Sequence, residues 1–213
     1  MAEGNDLMIE NQIISQGIVD KRLIKAMQSI DRSLFVPENC RYASYHDGPL
    51  PIGNGQTISQ PFIVAYMIDA VRPRPHEKAL EIGSGSGYLA CILAGLVKHV
   101  YAMEIIKPLY EKASGIIERI GIDNITPVNS NGYLGLPEHS PYDLIIVSCA
   151  SREVPPSLTE QLSAGGRIII PLEETSYYQN LFLITRDPNG TLTEKRLLPV
   201  RFVPFVRGDS VRL

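Results

Sequence analysis

The sequence predicts an α/β protein built on a doubly wound, mostly parallel sheet. From Lys78 onward, short and nearly all-apolar segments alternate with segments of helical periodicity. Strands of that kind are typical of a parallel sheet covered on both faces. The first of them ends in a glycine-rich turn, Gly83–Gly87, where such sheets often bind a ligand. We expect one domain over residues 1–213, with helices and a loop over 1–77 and the sheet core over 78–213.

The N-terminal part is expected to hold two helices followed by a long segment without regular structure. The first helix is predicted over Asp6–Gln16, and the second begins after Asp20, a favourable N-cap. The segment that follows has about thirty residues, and loops of that length inside a compact domain are uncommon unless they have a function. A further helix is predicted to begin at Pro61, because proline is favoured in a first turn.

The core is predicted to alternate strands and helices and to end in a hairpin. The strands are ALEIG, HVYAMEI, NITPVNS, YDLIIVSCA and GRIIIPL, and the helices are SGYLACILAGL, KPLYEKASGIIERIG and PPSLTEQLS. The segment LFLITRD-PNG-TLTEKRLLP then has the pattern of a hairpin and would give the sheet an antiparallel edge. This order is typical of a Rossmann-like fold with an N-terminal helical and loop extension.

The composition narrows the classes of function. A chain of 213 residues with 44% hydrophobic and 20% charged residues is an ordinary globular protein with one well-buried core. Its net charge of −3 leaves no basic excess, so we expect no nucleic-acid partner. No uncharged apolar run reaches the roughly 20 residues that span a bilayer, so we expect no membrane partner.

Cysteine and histidine usage adds two expectations. The three cysteines are widely spaced and form no C-x-x-C pair, which fits reduced thiols in a cytoplasmic protein without a secretory signal. The four histidines lack metal-ligand spacing, so no metal site is expected.

The glycine-rich turn predicts a loop that binds a cofactor. Its G-x-G-x-G spacing differs from the G-x-G-x-x-G of dinucleotide-binding proteins. Glu81 lies two positions before the first glycine, where a carboxylate would repel a pyrophosphate and favour a cationic group. S-adenosylmethionine has a sulfonium and an ammonium and no phosphate, so it suits the loop better than NAD does. The alternatives are a tight turn without a ligand and, for Glu81, a partly buried acid that accepts backbone hydrogen bonds.

Two further positions favour an adenosine-containing ligand. Glu104 ends the second core strand, where Rossmann-like folds hold the acid that accepts hydrogen bonds from ribose hydroxyls. Asn131 and Gly132 follow the third strand and would lie beside the adenine, with the amide oxygen accepting from its amino group. Both have plainer interpretations, as a solvated carboxylate at a strand end and as a simple turn.

The stretch from Gly48 to Pro61, GPLPIGNGQTISQP, is by composition either a linker or a place where a substrate is held. With its surroundings it resembles the protein-L-isoaspartate O-methyltransferases, and the resemblance covers nearly the whole chain. The matching segments are RSLFVPE, DGPLPIGNGQTISQPFIVAYM, ALEIGSGSGYLA, YAMEI, SPYDLIIVSCA, VPPSLTEQLSAGGRIIIPL and LLPVRFVPFV. Many methyltransferases share the glycine loop, whereas PLPIGNGQTISQP is far more specific.

The resemblance implies a repair enzyme. This family transfers a methyl group from S-adenosylmethionine to the stray carboxylate of isoaspartyl residues in damaged, flexible protein segments, and releases S-adenosylhomocysteine. The methyl ester then closes to a succinimide, which hydrolyses partly to normal aspartate without an enzyme. The family's C-terminal tail approaches the cofactor, but VRGDSVRL here is too unlike the usual ending to assign residues.

The resemblance also assigns roles to individual positions. Catalytic roles fall to Ser59, which would orient the acceptor carboxylate, and to Thr57 as its helper. Their hydroxyls could instead cap the helix at Pro61. The family usually has Asp at position 131, and Asn131 keeps an acceptor oxygen without the charge. The predicted cofactor contacts are Gln56, Thr57, Ile58, Ser59, Glu81, Gly83, Ser84, Gly85, Gly87, Glu104, Asn131 and Gly132.

The expected chemistry needs no general base. A free carboxyl group with a pKa of about 4 is already ionised at pH 7, and the sequence has no Ser-His-Asp or Cys-His signature. The enzyme would align and partly desolvate the carboxylate. Three other interpretations stay open: a relative that methylates a normal aspartate, a non-catalytic cofactor-binding member, and a dinucleotide oxidoreductase. We expect a monomer.

Overall fold

The computed structural model describes residues 2–175 and 178–206. Its N-terminal part contains helices α1 (Ala2–Gln12), α2 (Lys21–Ser29) and α3 (Pro61–Val71). The side chain of Asp20 accepts a hydrogen bond from the backbone N–H of Arg22, so it caps α2 as predicted. The prediction for the first helix was wrong in its bounds. Glu3 lies in the first turn of α1, where its charge complements the helix dipole, and residues 14–16 form a separate 3₁₀ turn.

The segment predicted to be irregular contains a β-hairpin. Strands β1 (Leu50–Gly53) and β2 (Gln56–Ile58) pair antiparallel across a two-residue turn. The turn residues Asn54 and Gly55 have φ angles of 52° and 70°. Asn-Gly is favoured in turns that require a positive φ at both positions, because Asn and Gly tolerate it best. The dipeptide is therefore a local hairpin signal within the segment predicted to be irregular.

The central sheet confirms the predicted α/β fold with its antiparallel edge. Within the described residues it has seven strands: β3 (Lys78–Ile82), β4 (His99–Glu104), β5 (Ile125–Asn129), β6 (Tyr142–Val147), β7 (Leu162–Thr175), β8 (Tyr178–Arg186) and β9 (Leu192–Val200). Their order in the sheet is β5-β4-β3-β6-β7-β8-β9. The strands from β5 to β7 are parallel, and β8 and β9 continue the sheet as antiparallel strands.

The helices of the core are α4 (Tyr88–Ala94), α5 (Lys107–Ile120) and α6 (Pro156–Glu160). The last is shorter than predicted, because the chain joins the sheet earlier: Leu162 already pairs with Tyr142 of β6. None of the helices in the described part of the chain is long and apolar enough to cross a membrane.

Two apolar clusters pack against the sheet, one on each face. Alternate strand residues point to opposite faces, so in β3 the side chain of Ala79 belongs to one cluster, and those of Leu80 and Ile82 belong to the other. Glu81 points to the same side as Ala79, the side that α4 and the N-terminal helices cover. The fold thus buries this acid under the loop that was predicted to bind a cofactor.

Candidate active site

The glycine-rich loop leaves the carboxyl end of β3 and leads into α4. Gly83, Gly85 and Gly87 have φ angles of 76°, 53° and 84°, conformations that L side chains rarely adopt. The backbone N–H groups of Gly83 and Ser84 both donate to the carbonyl of Met103, at 2.9 and 3.0 Å. These two bonds hold the loop against the end of β4, which carries the second acidic residue of the site besides Glu81.

That acid is Glu104, the last residue of β4. Its Oε2 accepts from the N–H of Gly85 at 2.9 Å, and its Oε1 accepts from the N–H of Ile106 at 2.8 Å. Burial raises the pKa of Glu104, and these backbone hydrogen bonds oppose the rise. A carboxylate has about four lone-pair sites, so Glu104 can still accept from a ligand while it holds the loop.

A cavity opens between the glycine loop, the end of β4 and the C-terminal segment. Its floor includes Gly132, where an added Cβ would lie only 2.4 Å from Cγ2 of Ile82. Of the predicted cofactor contacts, Gln56, Thr57, Gly83, Gly85, Glu104 and Gly132 line this cavity, which we call the cofactor cavity. Its other lining residues are Ile82, Met103, Ile105, Ile106, Ser130, Ser148, Cys149, Val203, Pro204, Phe205 and Val206.

Asn131 is not among the residues that line this cavity. Its Oδ1 accepts from the backbone N–H of Tyr133 at 3.0 Å and so caps the 3₁₀ turn of residues 132–134. The side chain of Asn131 therefore has the geometry of a simple turn, which was the plainer of the two interpretations. The contact of Asn131 with an adenine stays a prediction.

A smaller cavity lies beneath the β1–β2 hairpin and contains Glu81, Ile58 and Ser84. Glu81 is 1% exposed, and its Oε2 has no hydrogen-bond partner among the described residues. Burial, with the charge of Glu104 as a second cause, raises the pKa of Glu81 to about 8. The side chain of Ser148 and the backbone of Ala90 favour the ionised carboxyl group and oppose the rise. A buried acid with a free oxygen is an uncompensated site that a cationic ligand group would satisfy.

A third cavity, which we call the acceptor cavity, opens to the surface beside the hairpin. Ser59, Gln60 and Ile63 border it on one side, and residues 199–203 border it on the other. The N-cap of α3 is Gln60, and no side chain makes a capping hydrogen bond there. The capping interpretation of the hydroxyls of Thr57 and Ser59 is therefore wrong for this helix.

Thr57 and Ser148 each border all three cavities. Ser59 borders the acceptor cavity and the smaller cavity but not the cofactor cavity. Gly87 lines none of the three and serves as the residue before α4. The hydroxyls of the hairpin thus stand where a ligand of the cofactor cavity and a molecule in the acceptor cavity would meet.

Two residues of the site were missed from the sequence. Ser148 directly follows the buried strand β6, and a polar residue at the carboxyl end of a central strand is a signal that could have identified it. Arg201 borders the acceptor cavity, and no sequence pattern marks it.

The C-terminal segment also borders the site; the resemblance implied that this tail approaches the cofactor, but no residues were assigned to it. The N–H of Ala150 donates to the carbonyl of Val203 at 2.8 Å, and the N–H of Phe205 donates to the carbonyl of Ala150 at 2.7 Å. These bonds fix residues 203–206 over the cofactor cavity. Most of the ending VRGDSVRL, from residue 207 onward, lies outside the described residues.

The sequence model of the family described as "Protein-L-isoaspartate(D-aspartate) O-methyltransferase (PCMT)" matches residues 3–210. The chain belongs to this family. It is 46% identical over 200 residues to a protein-L-isoaspartate O-methyltransferase of Opitutus terrae, a match that covers 94% of the chain and 85% of the relative. It is 44% identical over 212 residues to the protein of the same name from Ignicoccus hospitalis, with 98% of the chain and 100% of the relative covered.

A solved structure of the family gives the same result. The crystal structure of a beta-aspartate methyltransferase (PCMT) from Plasmodium falciparum, in complex with S-adenosyl-L-homocysteine, superposes with a TM-score of 0.84. The two chains are 29% identical, and the superposition covers 95% of this chain and 98% of the other. The resemblance found from the motifs is thereby confirmed, and so is the predicted fold.

Proposed function

We propose that this protein methylates the free carboxylate of L-isoaspartyl residues in damaged proteins, with S-adenosylmethionine as methyl donor. Family membership supports the reaction and the cofactor. The structural observation that carries the proposal is the junction at Thr57 and Ser148, where the cofactor cavity and the acceptor cavity meet. A methyl transfer needs donor and acceptor side by side in a defined alignment.

The residues present fit the cofactor. Glu104 offers lone pairs to ribose hydroxyls, and Gly132, packed closely against Ile82, gives the same cavity a wall without a side chain for a flat ring. Glu81 offers a buried carboxyl with an unpartnered oxygen to a cationic amino-acid end. When bound, S-adenosylmethionine supplies an electrophilic methyl group on a sulfonium.

The acceptor side of the site works by orientation. A carboxylate that is ionised at pH 7 needs no base, so the hydroxyls of Ser59 and Thr57 donate hydrogen bonds and fix its direction. Neutral donors suit this task because they hold the carboxylate without quenching its nucleophilicity as a directly bonded cation would. Arg201 at the rim adds a positive charge that attracts the acidic substrate.

The residues of the β1–β2 hairpin define what kind of acceptor enters. The turn at Asn54–Gly55 is exposed, and Thr57 is exposed beside it, so an extended backbone can reach the hydroxyls from outside. In the methyl ester made there, the methoxy group leaves more readily than an oxygen of the free carboxylate. The following backbone nitrogen attacks the ester carbonyl carbon, loses its proton and displaces methanol, which forms a succinimide. The succinimide hydrolyses partly to normal aspartate.

We propose further that the protein is a single domain and acts as a cytoplasmic monomer, without a nucleic-acid or membrane partner. The three cysteines are unpaired, which is the ordinary state in a reducing compartment. Sedimentation of the purified protein with and without S-adenosylhomocysteine would detect a dimer.

A labelled-methyl assay with paired peptides tests the function. The peptides differ only in isoaspartate against aspartate at one position, and the label comes from S-adenosylmethionine. We expect the isoaspartyl peptide alone to be labelled. Equal labelling of both would replace the repair function with methylation of normal aspartate, and binding of the cofactor without labelling would indicate a non-catalytic member.

A further inference from the structure

A second open cleft lies at the far end of α3 from the acceptor cavity. Tyr66 and Asp69 of α3 border it on one side, and Lys195 and Leu197 of β9 border it on the other. The residues just after α3 and the adjoining ends of β7 and β8 complete its wall. The reaction described above uses none of these residues.

The cleft and the acceptor cavity are built from the same two elements. Gln60 and Ile63, early in α3, meet Pro199 and Val200, late in β9, at the acceptor cavity. Further along α3, residues meet earlier positions of β9 at the cleft. The two openings therefore lie in line, and we call the surface between α3 and β9 that joins them the α3–β9 groove.

The spacing of the lining residues supports one continuous groove. Positions 63, 66 and 70 of the helix are spaced by three and four residues, so they lie along one side of it. Positions 195, 197 and 200 of the strand lie on one face, because a bulge in the pairing with β8 adds one residue between positions 196 and 199. Ile63, Leu197 and Val200 are partly buried against the core and give the groove an apolar floor.

The groove has the length of a short peptide. From position 60 to position 69 the helix rises about 14 Å, at about 1.5 Å per residue. An extended chain covers that distance in about four residues, at roughly 3.3–3.6 Å each. A substrate segment with its isoaspartate at Ser59 would thus place a residue about four positions away in the cleft.

The cleft carries a positive surplus in a chain whose net charge is −3. Its cationic lining residues are Arg72, Arg74, Arg167 and Lys195. Arg167 is neutralised by Glu77, with Nη1 and Oε1 2.8 Å apart, and Arg72 interacts with Asp69, the one carboxylate among the described lining residues. Arg74 and Lys195 are exposed, and neither has an ion-pair partner among the described residues.

We infer that the substrate segment runs from the acceptor cavity along the α3–β9 groove, and that Arg74 and Lys195 favour an acidic side chain about four residues from the isoaspartate. The inference rests on the proposed function and adds a flanking-sequence preference to it. The occupant is an acidic peptide segment, because an extended chain matches the length of the groove and a carboxylate matches its charged end.

Methylation kinetics on a peptide series test this preference. The isoaspartyl peptides are identical except for Glu, Ala or Lys four positions to the N-terminal or the C-terminal side of the isoaspartate. We expect Glu on one side to lower KM about two- to five-fold relative to Ala, the range of an exposed ion pair, and Lys to raise it. High salt should remove the difference, because it screens exposed charges.

Charge reversal locates the effect. Lys195→Glu should invert the ratio of KM values between the Glu and Lys peptides, and Arg74→Glu serves as an independent second variant. Lys112→Glu is the matched control, since Lys112 is an exposed lysine of α5 and lines none of the described clefts. Thermal unfolding checks that each variant is folded.

The possible outcomes separate the two proposals. If the Ala peptide is methylated but KM is the same for all flanking residues, the groove inference is wrong and the proposed function stands. The groove inference is also wrong, and the proposed function still stands, if Lys195→Glu and Arg74→Glu change the ratio of KM values for the Glu and Lys peptides no more than Lys112→Glu does. If the Ala peptide is not methylated at all, the proposed function fails, and the groove inference fails with it.

Discussion

Ser148, directly after β6, and the buried acid Glu81 of β3 line the same small cavity. The two residues are far apart in sequence and meet because β3 and β6 are neighbouring parallel strands. Burial raises the pKa of Glu81 to about 8, and the side chain of Ser148 opposes that rise. The pair links the acid of the smaller cavity to a residue that also borders the cofactor and acceptor cavities.

Ser148→Ala should weaken cofactor binding at pH 7 and raise the pKa of Glu81 further. The substitution removes the hydroxyl that favours the ionised form of Glu81 in their shared cavity, and polar interactions with charged groups contribute on the order of 1.5–3 kcal/mol. We expect the Kd for S-adenosylhomocysteine to rise about tenfold or more, measured by calorimetry. Ser114→Ala is the control, because Ser114 donates to a backbone carbonyl inside α5, away from the cavities. Equal affinities for the two variants would contradict the role of Ser148.

Binding of the cationic cofactor should release a proton from Glu81. Because its pKa is about 8 in the free protein, the carboxyl is mostly protonated at pH 7, and a nearby ammonium or sulfonium favours the ionised form. Affinity should therefore rise from pH 6 to about pH 8 and level off above it. Calorimetry at pH 7 in two buffers of different ionisation enthalpy measures the released proton. In Glu81→Gln the proton release should disappear, and affinity should be lower and flat with pH.

The same group should make stability depend on pH. The unfolded acid titrates near 4.5, and the folded acid titrates near 8, so between these values the folded state binds more protons than the unfolded state. The contribution of Glu81 to stability is complete below about pH 4.5 and is lost as pH rises through 8. The wild type should therefore lose stability from pH 5 to pH 8, and Glu81→Gln should lack this loss. The free energy of unfolding of Glu81→Gln minus that of the wild type should increase over this range. Urea unfolding at the two pH values measures it, and a constant difference would contradict the raised pKa.

Ser59→Ala should lower turnover far more than it lowers cofactor affinity. Ser59 borders the acceptor cavity but not the cofactor cavity, so the lost hydrogen bond is one to the acceptor carboxylate. A bond of that kind is worth about 1.5–3 kcal/mol, which corresponds to a roughly ten- to hundredfold fall in kcat/KM. Thr57→Val is informative beside it, because Thr57 borders both cavities and should affect both measurements. Unchanged turnover in Ser59→Ala would remove the orienting role assigned to this residue.

Local patterns identified much of the fold and part of the site. The sheet, the glycine loop and the position of Glu104 follow from runs of apolar residues and from where those runs end, which are local properties of the chain. The β1–β2 hairpin was also locally encoded, in Asn54–Gly55, but its strands are too short to show an alternating pattern. The missed signal was therefore the turn and not the strands.

The rest of the site depends on contacts between distant segments. Ser148 becomes part of it only because β6 lies next to β3, and the C-terminal segment enters it only through its bonds with Ala150. The environment of Glu81 illustrates the same limit. Its position in the motif indicated a charged partner, whereas its raised pKa results from burial under α4 and from the nearby Glu104. Burial and proximity of this kind are products of tertiary structure.

Gly132 offers a test of how tightly the floor of the cofactor cavity is packed. A Cβ there would lie 2.4 Å from Cγ2 of Ile82, closer than non-bonded carbons can approach, and Ile82 is buried in the core below. Gly132→Ala should therefore force Ile82 or the backbone to move, at a cost of about 1–3 kcal/mol in stability, and should also weaken cofactor binding.

Gly115→Ala is the matched control, since Gly115 lies inside α5 and an added Cβ would meet nothing within 4 Å. Replacing glycine by alanine in a helix interior stabilises by about 0.5–1 kcal/mol, so the same chemical change should have opposite signs at the two positions. Denaturant unfolding of both variants, with S-adenosylhomocysteine titrations, measures this contrast.

Adding Ile82→Val to Gly132→Ala leaves Cγ2 in place but makes the neighbour smaller, so it should recover only part of the lost stability. Ile82→Ala removes Cγ2, so it should relieve the clash itself while adding the cost of a cavity. The stability lost through Ile82→Ala should therefore be smaller in the Gly132→Ala variant than in the wild type.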